Sequence, residues 1–238
     1  MTIIIKKPVI RKNSFERRAW EQKLYVCGID EVGRGCLAGP VVVSAVILPL
    51  EGHHPLLKDS KVLTAEEREK AYRWITKHCQ WSVAMCSNHV VDERNIYQAT
   101  LYGMKKAYLQ LIETMSIPLP KLKYVVIDAM PLLLDNTMRH KDLEVHHFNF
   151  GESLSTSIAA ASIVAKVTRD RLMTKLDPIF PAFTFQTHKG YATKAHQTVL
   201  RAQGPTIIHR SSFISKFTNE EDDAQPASTQ NVLFSELL

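Results

Sequence analysis

LYVCGIDEVGRGCLAGPVVVSAVIL, residues 24–48, carries two apolar runs on either side of a glycine-rich turn. The first run, residues 24–30, ends in Asp30 and is followed at once by Glu31. The second, residues 40–48, is rich in β-branched residues, which suit a pleated strand. The intervening EVGRGCLAG holds three glycines and reads as a turn. The stretch therefore predicts a strand, a turn and a second strand, with two adjacent acids at the end of the first.

Further along, Thr64 and Glu67 have capping-box spacing and open a predicted helix that runs to about His78. Residues 81–86 predict a third strand. From residue 92 to about 113, Ile96, Ala99, Gly103, Ala107 and Leu111 fall on one helix face. Residues 123–128 (KYVVID) predict a strand that ends in Asp128, and residues 143–150 another. Residues 157–167 (SIAAASIVAKV) are apolar nearly all round, as in a buried helix. Residues 169–176 continue that helix or start a new one, which Asp177-Pro178 stops. Residues 193–202 form the last predicted helix, before Gly204-Pro205. Strands mixed with helices indicate an α/β layered domain.

The chain has 238 residues, 45% hydrophobic and 23% charged, which excludes wholesale disorder. No apolar run approaches the ~20 residues of a membrane span. MTIIIKKPVIRKN sets its charges after a very short apolar run, the reverse of a secretory signal. Cys27, Cys36, Cys79 and Cys86 form no CxxC pair, which favours a reducing, cytoplasmic setting. Three regions are expected: a basic N-terminal arm at 1–22, a catalytic domain at 23–217 and an acidic tail at 218–238. The arm reads either as a solvated tail or as a flexible arm for phosphates. The tail holds five of the 24 acids and none of the 30 Lys and Arg, so the net charge of +6 hides a body of +11. A body that basic attracts polyanions, nucleic acid above all.

Asp30, Glu31 and Asp128 stand at the ends of two strands that look buried, where a carboxylate is costly unless compensated. Acid clusters without His or Cys suit hard cations such as Mg²⁺ or Mn²⁺. Two such ions ~3.5–4 Å apart can clamp both oxygens of a phosphodiester displacement. A basic body around such a cluster outlines a nuclease. The histidines show no paired metal spacing, and the neighbours His53-His54 and His146-His147 read as surface or packing residues.

DEVGRGCLAGPVV at 30–42 resembles the signature of the bacterial ribonuclease HII (type 2 ribonuclease H) family. The likeness continues in order through DSKVL (59–63), NIYQAT (95–100), VVID (125–128), SIAAASIVAKVTRDRLM (157–173), HKGY (188–191) and GPTIIHRSSF (204–213). It implies an RNase H-like fold, with a central mixed sheet and a helical C-terminal portion. It also implies cleavage of RNA in RNA–DNA hybrids and 5′ of single ribonucleotides in duplex DNA, leaving 3′-hydroxyl and 5′-phosphate ends. The family's metal carboxylates carry over to Asp30, Glu31 and Asp128. Its fourth, an Asp after Gly, becomes Glu152 after Gly151, with a reach altered by ~1.5 Å. Asp170 competes for that place, against a helix-end cap or a local pairing with a neighbouring Arg. Gly33, Arg34 and Gly35 match the family's ribose-sensing GRG loop, and Tyr191 its sugar-stacking tyrosine. Lys61, Asn95, Ser162, Lys166, Lys189 and Arg210 lie in matching blocks as expected phosphate contacts.

The chain departs from the family pattern at Ala129 and Ala192, where Gly is usual, and at Phe183-Thr184-Phe185. An Ala held at positive φ is strained. In the tail, Gln230, Leu233 and Phe234 fit a sliding-clamp-binding peptide, against the alternative of a merely disordered acidic tail. The implied state is a monomer with no membrane partner. Rival readings are a type 3 ribonuclease H, a hybrid-binding protein without catalysis, and an RNase H-like resolvase.

Overall fold

The computed structural model describes residues 12–135 and 140–218. A five-stranded mixed sheet runs in the order β3-β2-β1-β4-β5. The strands are β1 (Tyr25–Val32), β2 (Val41–Ile47), β3 (Gln80–Cys86), β4 (Leu122–Asp128) and β5 (Glu144–Phe148). β1, β2 and β3 pair antiparallel, whereas β4 lies parallel to both β1 and β5. β1, β2 and β4 lie on the short apolar runs that predict them, β3 on the run at 81–86, and β5 within the alternating stretch at 143–150.

One sheet face packs against α3 (Asn88–Thr114), through Ala99, Met104, Ala107 and Leu111 on Cys27, Ile29, Val43 and Ile127. The other packs against α2 (Ala65–His78) and α5 (Thr156–Leu176), through Ala71, Ile75, Ala160 and Val164 around Val46. Thr64 and Glu67 close the reciprocal capping box in front of α2. α5 is one continuous helix, so residues 169–176 extend the run at 157–167. α3 starts at Asn88, earlier than its periodicity suggests, and is broken at Asn95 (φ 63°, ψ 163°). The Asn95 Oδ1 accepts the Tyr97 and Gln98 N–H groups, so this residue restarts the helix as an internal cap.

Residues 14–21 correct the solvated-arm reading. Ser14–Glu21 is a helix, α1, with Glu16 and Ala19 fully buried. The Glu16 Oε1 accepts from the Ser155 hydroxyl and, at 3.1 Å, from the Ser157 N–H at the start of α5. The Asn13 Oδ1 accepts the Thr156 N–H at 3.0 Å. A Lys/Arg-rich segment looks solvated by composition, yet its one buried acid satisfies orphan donors of a helix N-terminus. Residues 1–11 lie outside the described residues.

The C-terminal portion is helical, with α6 (Phe185–His188), α7 (Lys194–Gln203) and α8 (Ser211–Thr218) following the short α4 (Gly151–Leu154) and α5. It closes over the β1–β2 loop through Leu37, Ala38, Met173, Phe183, Phe185 and Leu200. All four cysteines are free and buried. Among the described residues, no helix is long and apolar enough to cross a membrane.

His188, His196 and His209 are buried in this portion, and burial holds all three below the usual imidazole range, His209 down to about 4. The unfolded chain therefore binds more protons than the folded one between pH 6.5 and about 4. The contribution of these histidines to stability should be fully present above pH 6.5 and fall as pH drops through that window. A shift of His209 down to about 4, to which His196 contributes, corresponds to on the order of 3 kcal/mol. The denaturation midpoint of His209→Gln, measured against pH, should lack this part of the acid slope.

Candidate active site

β1 and β4 are parallel, so both end at the same edge of the sheet, and the register that pairs Ile29 with Ile127 carries Asp30 up beside Asp128. The chain builds outward to β2 and β3 on one side of β1 and to β4 and β5 on the other. Ligands of open α/β sheets bind at such a switch point, outside the strand carboxyl ends. A cavity of about 390 Å³ opens there, with Asp30, Glu31 and Asp128 in its wall.

Asp30 shares the α5 face of the sheet with Val26 and Gly28, because side chains alternate along a strand. It is buried, and its carboxylate accepts from the Glu31 N–H at 2.8 Å and from the Ser162 hydroxyl of α5. Ser162 in turn meets Ser60 at 2.9 Å. Burial, then the neighbouring Glu31 and Asp128, push the Asp30 carboxyl well above its ordinary range. Burial also raises Glu31, although Arg34, 3.2 Å away, opposes the rise. Burial lifts Asp128 to about 7, against the Gly151 N–H that favours its anion, and the facing Glu152 adds to the rise.

Glu152 is buried in α4, just after Gly151, whose N–H donates to the Asp128 Oδ1 at 2.7 Å. Burial acts upward on Glu152, but Asp128, its own backbone N–H and Lys61 outweigh it and hold it below the ordinary value. The Lys61 Nζ reaches the Glu152 Oε1 at 3.1 Å. Four carboxyl groups thus lie near one strand edge, three of them raised by burial, with neighbouring acids adding to the rise at Asp30 and Asp128. Such a cluster is stabilised by cations.

The turn before β2 forms the opposite wall, where Gly33 and Arg34 line the cavity with Lys61, Lys166 and Tyr191. Gly33 adopts φ +90°, and a Cβ there would lie 2.2 Å from the Arg169 Nε. Gly35 is exposed and lies outside the cavity wall. The residues between β1 and β2 do not form a plain hairpin turn: Cys36 bridges to Tyr191 and Ala38 to His209. Tyr191 is 37% exposed, with Lys166 and Arg169 5.5 and 5.7 Å from its ring centre.

Other expected contacts fall elsewhere. Asn95 is exposed, outside the cavity wall, and its side chain is spent on the helix cap. Arg210 is fully buried and donates to the carbonyls of Gly33, Arg34 and Gly39, so it is no phosphate contact. Lys189 donates to the Thr174 hydroxyl and to the Gln186 carbonyl. Asp170 pairs locally, outside the carboxylate cluster, but with Lys166 at 2.9 Å rather than with an Arg. Sequence reasoning misses Ser60, the α1 cap and the buried Arg169, which donates to the Pro40, Ala38 and Lys189 carbonyls. None of these carries a local spacing signal.

Ala129 has φ 53°. The left-handed conformation costs a non-glycine residue roughly 1–2 kcal/mol, partly offset by glycine's greater unfolded entropy. Ala129→Gly should therefore stabilise the fold by about 0.5–1 kcal/mol in urea titrations. The other usual-Gly position, Ala192, has no positive φ.

The family model described as "Ribonuclease HII" matches residues 27–216. The chain belongs to the ribonuclease HII family. A Ribonuclease HII of Caldanaerobacter subterraneus subsp. tengcongensis is 40% identical over 204 residues, covering 85% of this chain and 79% of that protein. Among solved structures, the chain is similar to the PCNA:RNase HII complex from Archaeoglobus fulgidus, with TM-score 0.64 and 27% identity over 83% of this chain and 98% of that one. It is also similar to a Bst-RNase HIII in complex with Mn²⁺, with TM-score 0.57 and 21% identity over 78% of this chain and 65% of that one. At that identity the likeness concerns the fold alone. Membership of the ribonuclease HII family makes the chain a hydrolase, an endonuclease acting on RNA in RNA–DNA hybrids, and sets aside the type 3 and resolvase readings.

Proposed function

We propose that the chain also incises duplex DNA on the 5′ side of single embedded ribonucleotides, leaving 3′-hydroxyl and 5′-phosphate ends. The observation that carries the reading is one cavity shared by Asp30, Glu31 and Asp128, the turn at Gly33 and Arg34, and Tyr191.

Asp30, Glu31, Asp128 and Glu152 are the carboxylates assigned to two Mg²⁺ or Mn²⁺ ions. The donor set is all oxygen, and the Oε2 atoms of Glu31 and Glu152 are buried without a hydrogen-bond partner. Among the described residues, no three acid, His or Cys side chains stand in an arrangement that by itself holds a metal ion. Mg²⁺ commonly takes only one or two protein carboxylates and fills its remaining positions with water and substrate phosphate oxygens. When bound, such ions activate the attacking water and offset charge on the departing 3′-oxygen.

The chain's own groups do the rest. Ser162 and the Glu31 N–H hold the Asp30 carboxylate in place, and Gly151 holds Asp128. Lys61 and Lys166, both in the cavity wall, neutralise the approaching backbone. The main chain of the turn at Gly33, Arg34 and Gly35 reads the 2′-hydroxyl, which is both donor and acceptor. The Tyr191 ring packs on the sugar. We assign the catalytic unit to residues 23–217 together with α1, acting as a monomer in the cytoplasm.

The test is a DNA duplex with one ribonucleotide, given Mg²⁺ or Mn²⁺, for the wild type and Asp128→Asn. Incision by the wild type alone is expected. No wild-type incision with either ion would falsify the proposal. The tail motif at Gln230, Leu233 and Phe234 lies outside the described residues. From its sequence, and because one structural relative is a PCNA complex, we assign it to a sliding clamp. Truncation after Thr218 should abolish clamp binding and spare hydrolysis; unchanged clamp binding removes the assignment.

A further inference from the structure

His209 and Arg210 are adjacent and buried, and their side chains serve different walls of the cavity. The Arg210 guanidinium donates to the Gly33 carbonyl at 2.7 Å and to the Arg34 carbonyl at 2.9 Å. It also donates twice to the Gly39 carbonyl. Both ends of the glycine-rich turn are thus held by one rigid fork, a geometry that an ammonium group cannot copy.

His209 reaches the other wall through a chain of fixed polarity. The Thr206 backbone N–H donates to the His209 Nδ1 at 2.9 Å, so that nitrogen carries no proton. The single proton of the neutral ring is then on Nε2. That nitrogen lies 3.0 Å from the His196 Nε2, which must accept. The His196 proton is therefore on Nδ1, and it donates to the Tyr191 carbonyl at 2.9 Å. A proton added to either ring would set two donors face to face. His188 stacks on His196, with ring centres 4.3 Å apart, and its own bonds run to Phe183 and Gly190. The circuit closes through the bridge from Tyr191 to Cys36, inside the same turn.

From this circuit we infer that His196, His209 and Arg210 are positioning residues that lock the Gly33 turn and Tyr191 into a single ribose gauge. None of the three lines the cavity, so they act through the groups that do. The inference rests on the proposed role of Tyr191 and the turn at the ribose.

Two measurements test it. Long-range ¹H–¹⁵N spectra of the histidine rings in the wild type should show Nε2–H for His209 and Nδ1–H for His196. The opposite tautomer at either ring overturns the relay. The second measurement is a double-mutant cycle on the single-ribonucleotide duplex. His196→Leu and Arg210→Lys should each lower kcat/KM by about 10- to 100-fold, the scale of a small misplacement at a reacting centre. In a Tyr191→Ala background the same His196→Leu change should cost less than about twofold, because the group it positions is gone. His196→Asn, which keeps an N–H on the Tyr191 side, should recover most of the loss. If Tyr191→Ala is impaired yet His196→Leu costs the same in both backgrounds, the positioning role is wrong. If Tyr191→Ala alone is harmless, the ribose role of Tyr191 fails and the gauge with it.

Discussion

Asp30→Asn is expected to remove hybrid cleavage while making the metal-free protein more stable. The Asp30 carboxylate is buried, and its neighbours Glu31 and Asp128 are also acids. In the absence of cations its charge is opposed by low polarizability and by repulsion, and only Ser162 and the Glu31 N–H favour it. Asn matches its shape and can keep an oxygen for one of those donors. The repulsion disappears, so the thermal midpoint in chelator should rise. The rate should fall by about 10³-fold or more, or about 4 kcal/mol of transition-state stabilisation, because an amide is a poor ligand for a hard cation. Hybrid binding in chelator should persist, since Lys61 and Lys166 are untouched. A cleavage assay beside a melting curve checks both halves. Full activity in Asp30→Asn would show that Asp30 is not part of the hydrolytic machinery.

Gly28→Ala is expected to damage fold and activity together. Gly28 lies in the middle of β1, paired with Val46 on one side and Val126 on the other, so the strand cannot move. A Cβ there would meet the Ser157 carbonyl carbon at 2.1 Å and the Ile158 nitrogen at 2.4 Å. Those are backbone atoms of the first turn of α5, so the helix must back away from the sheet. α5 carries Ser162, and its N-terminus adjoins the segment that holds Glu152. The expected loss is about 3 kcal/mol, the upper part of the overpacking range. The surviving folded fraction should cleave about 100-fold more slowly, as a displacement near 1 Å implies. Gly35→Ala is the control: its Cβ meets nothing within 4 Å, so its denaturation midpoint should stay put. A Gly28→Ala midpoint within 1 kcal/mol of wild type would show that α5 gives way cheaply.

The strand-end acids can be picked out of the chain because they break a local rule. Asp30 and Asp128 each terminate an apolar β-branched run, where water is scarce and an acid needs a reason. Glu152 breaks no such rule, and only the family resemblance marks it. Arg210 and Lys61 are alike in composition terms, yet one is buried against three carbonyls and the other stands 77% exposed. Nothing local distinguishes them, because the difference is set by groups that lie over 100 positions away along the chain.

Apolar periodicity and turn chemistry, both short-range, determined the strands, α2 and the buried run of α5 from the sequence alone. They also determined that two strands end in carboxylates within a basic body. Only the tertiary structure decided that β1 and β4 run side by side in the same direction, which makes Asp30 and Asp128 neighbours. It also decided that Glu16, Arg169, His196 and Arg210 turn inward to satisfy backbone groups of distant segments. A buried donor or acceptor must find a partner wherever the fold supplies one, and that partner is chosen by proximity in space rather than along the chain.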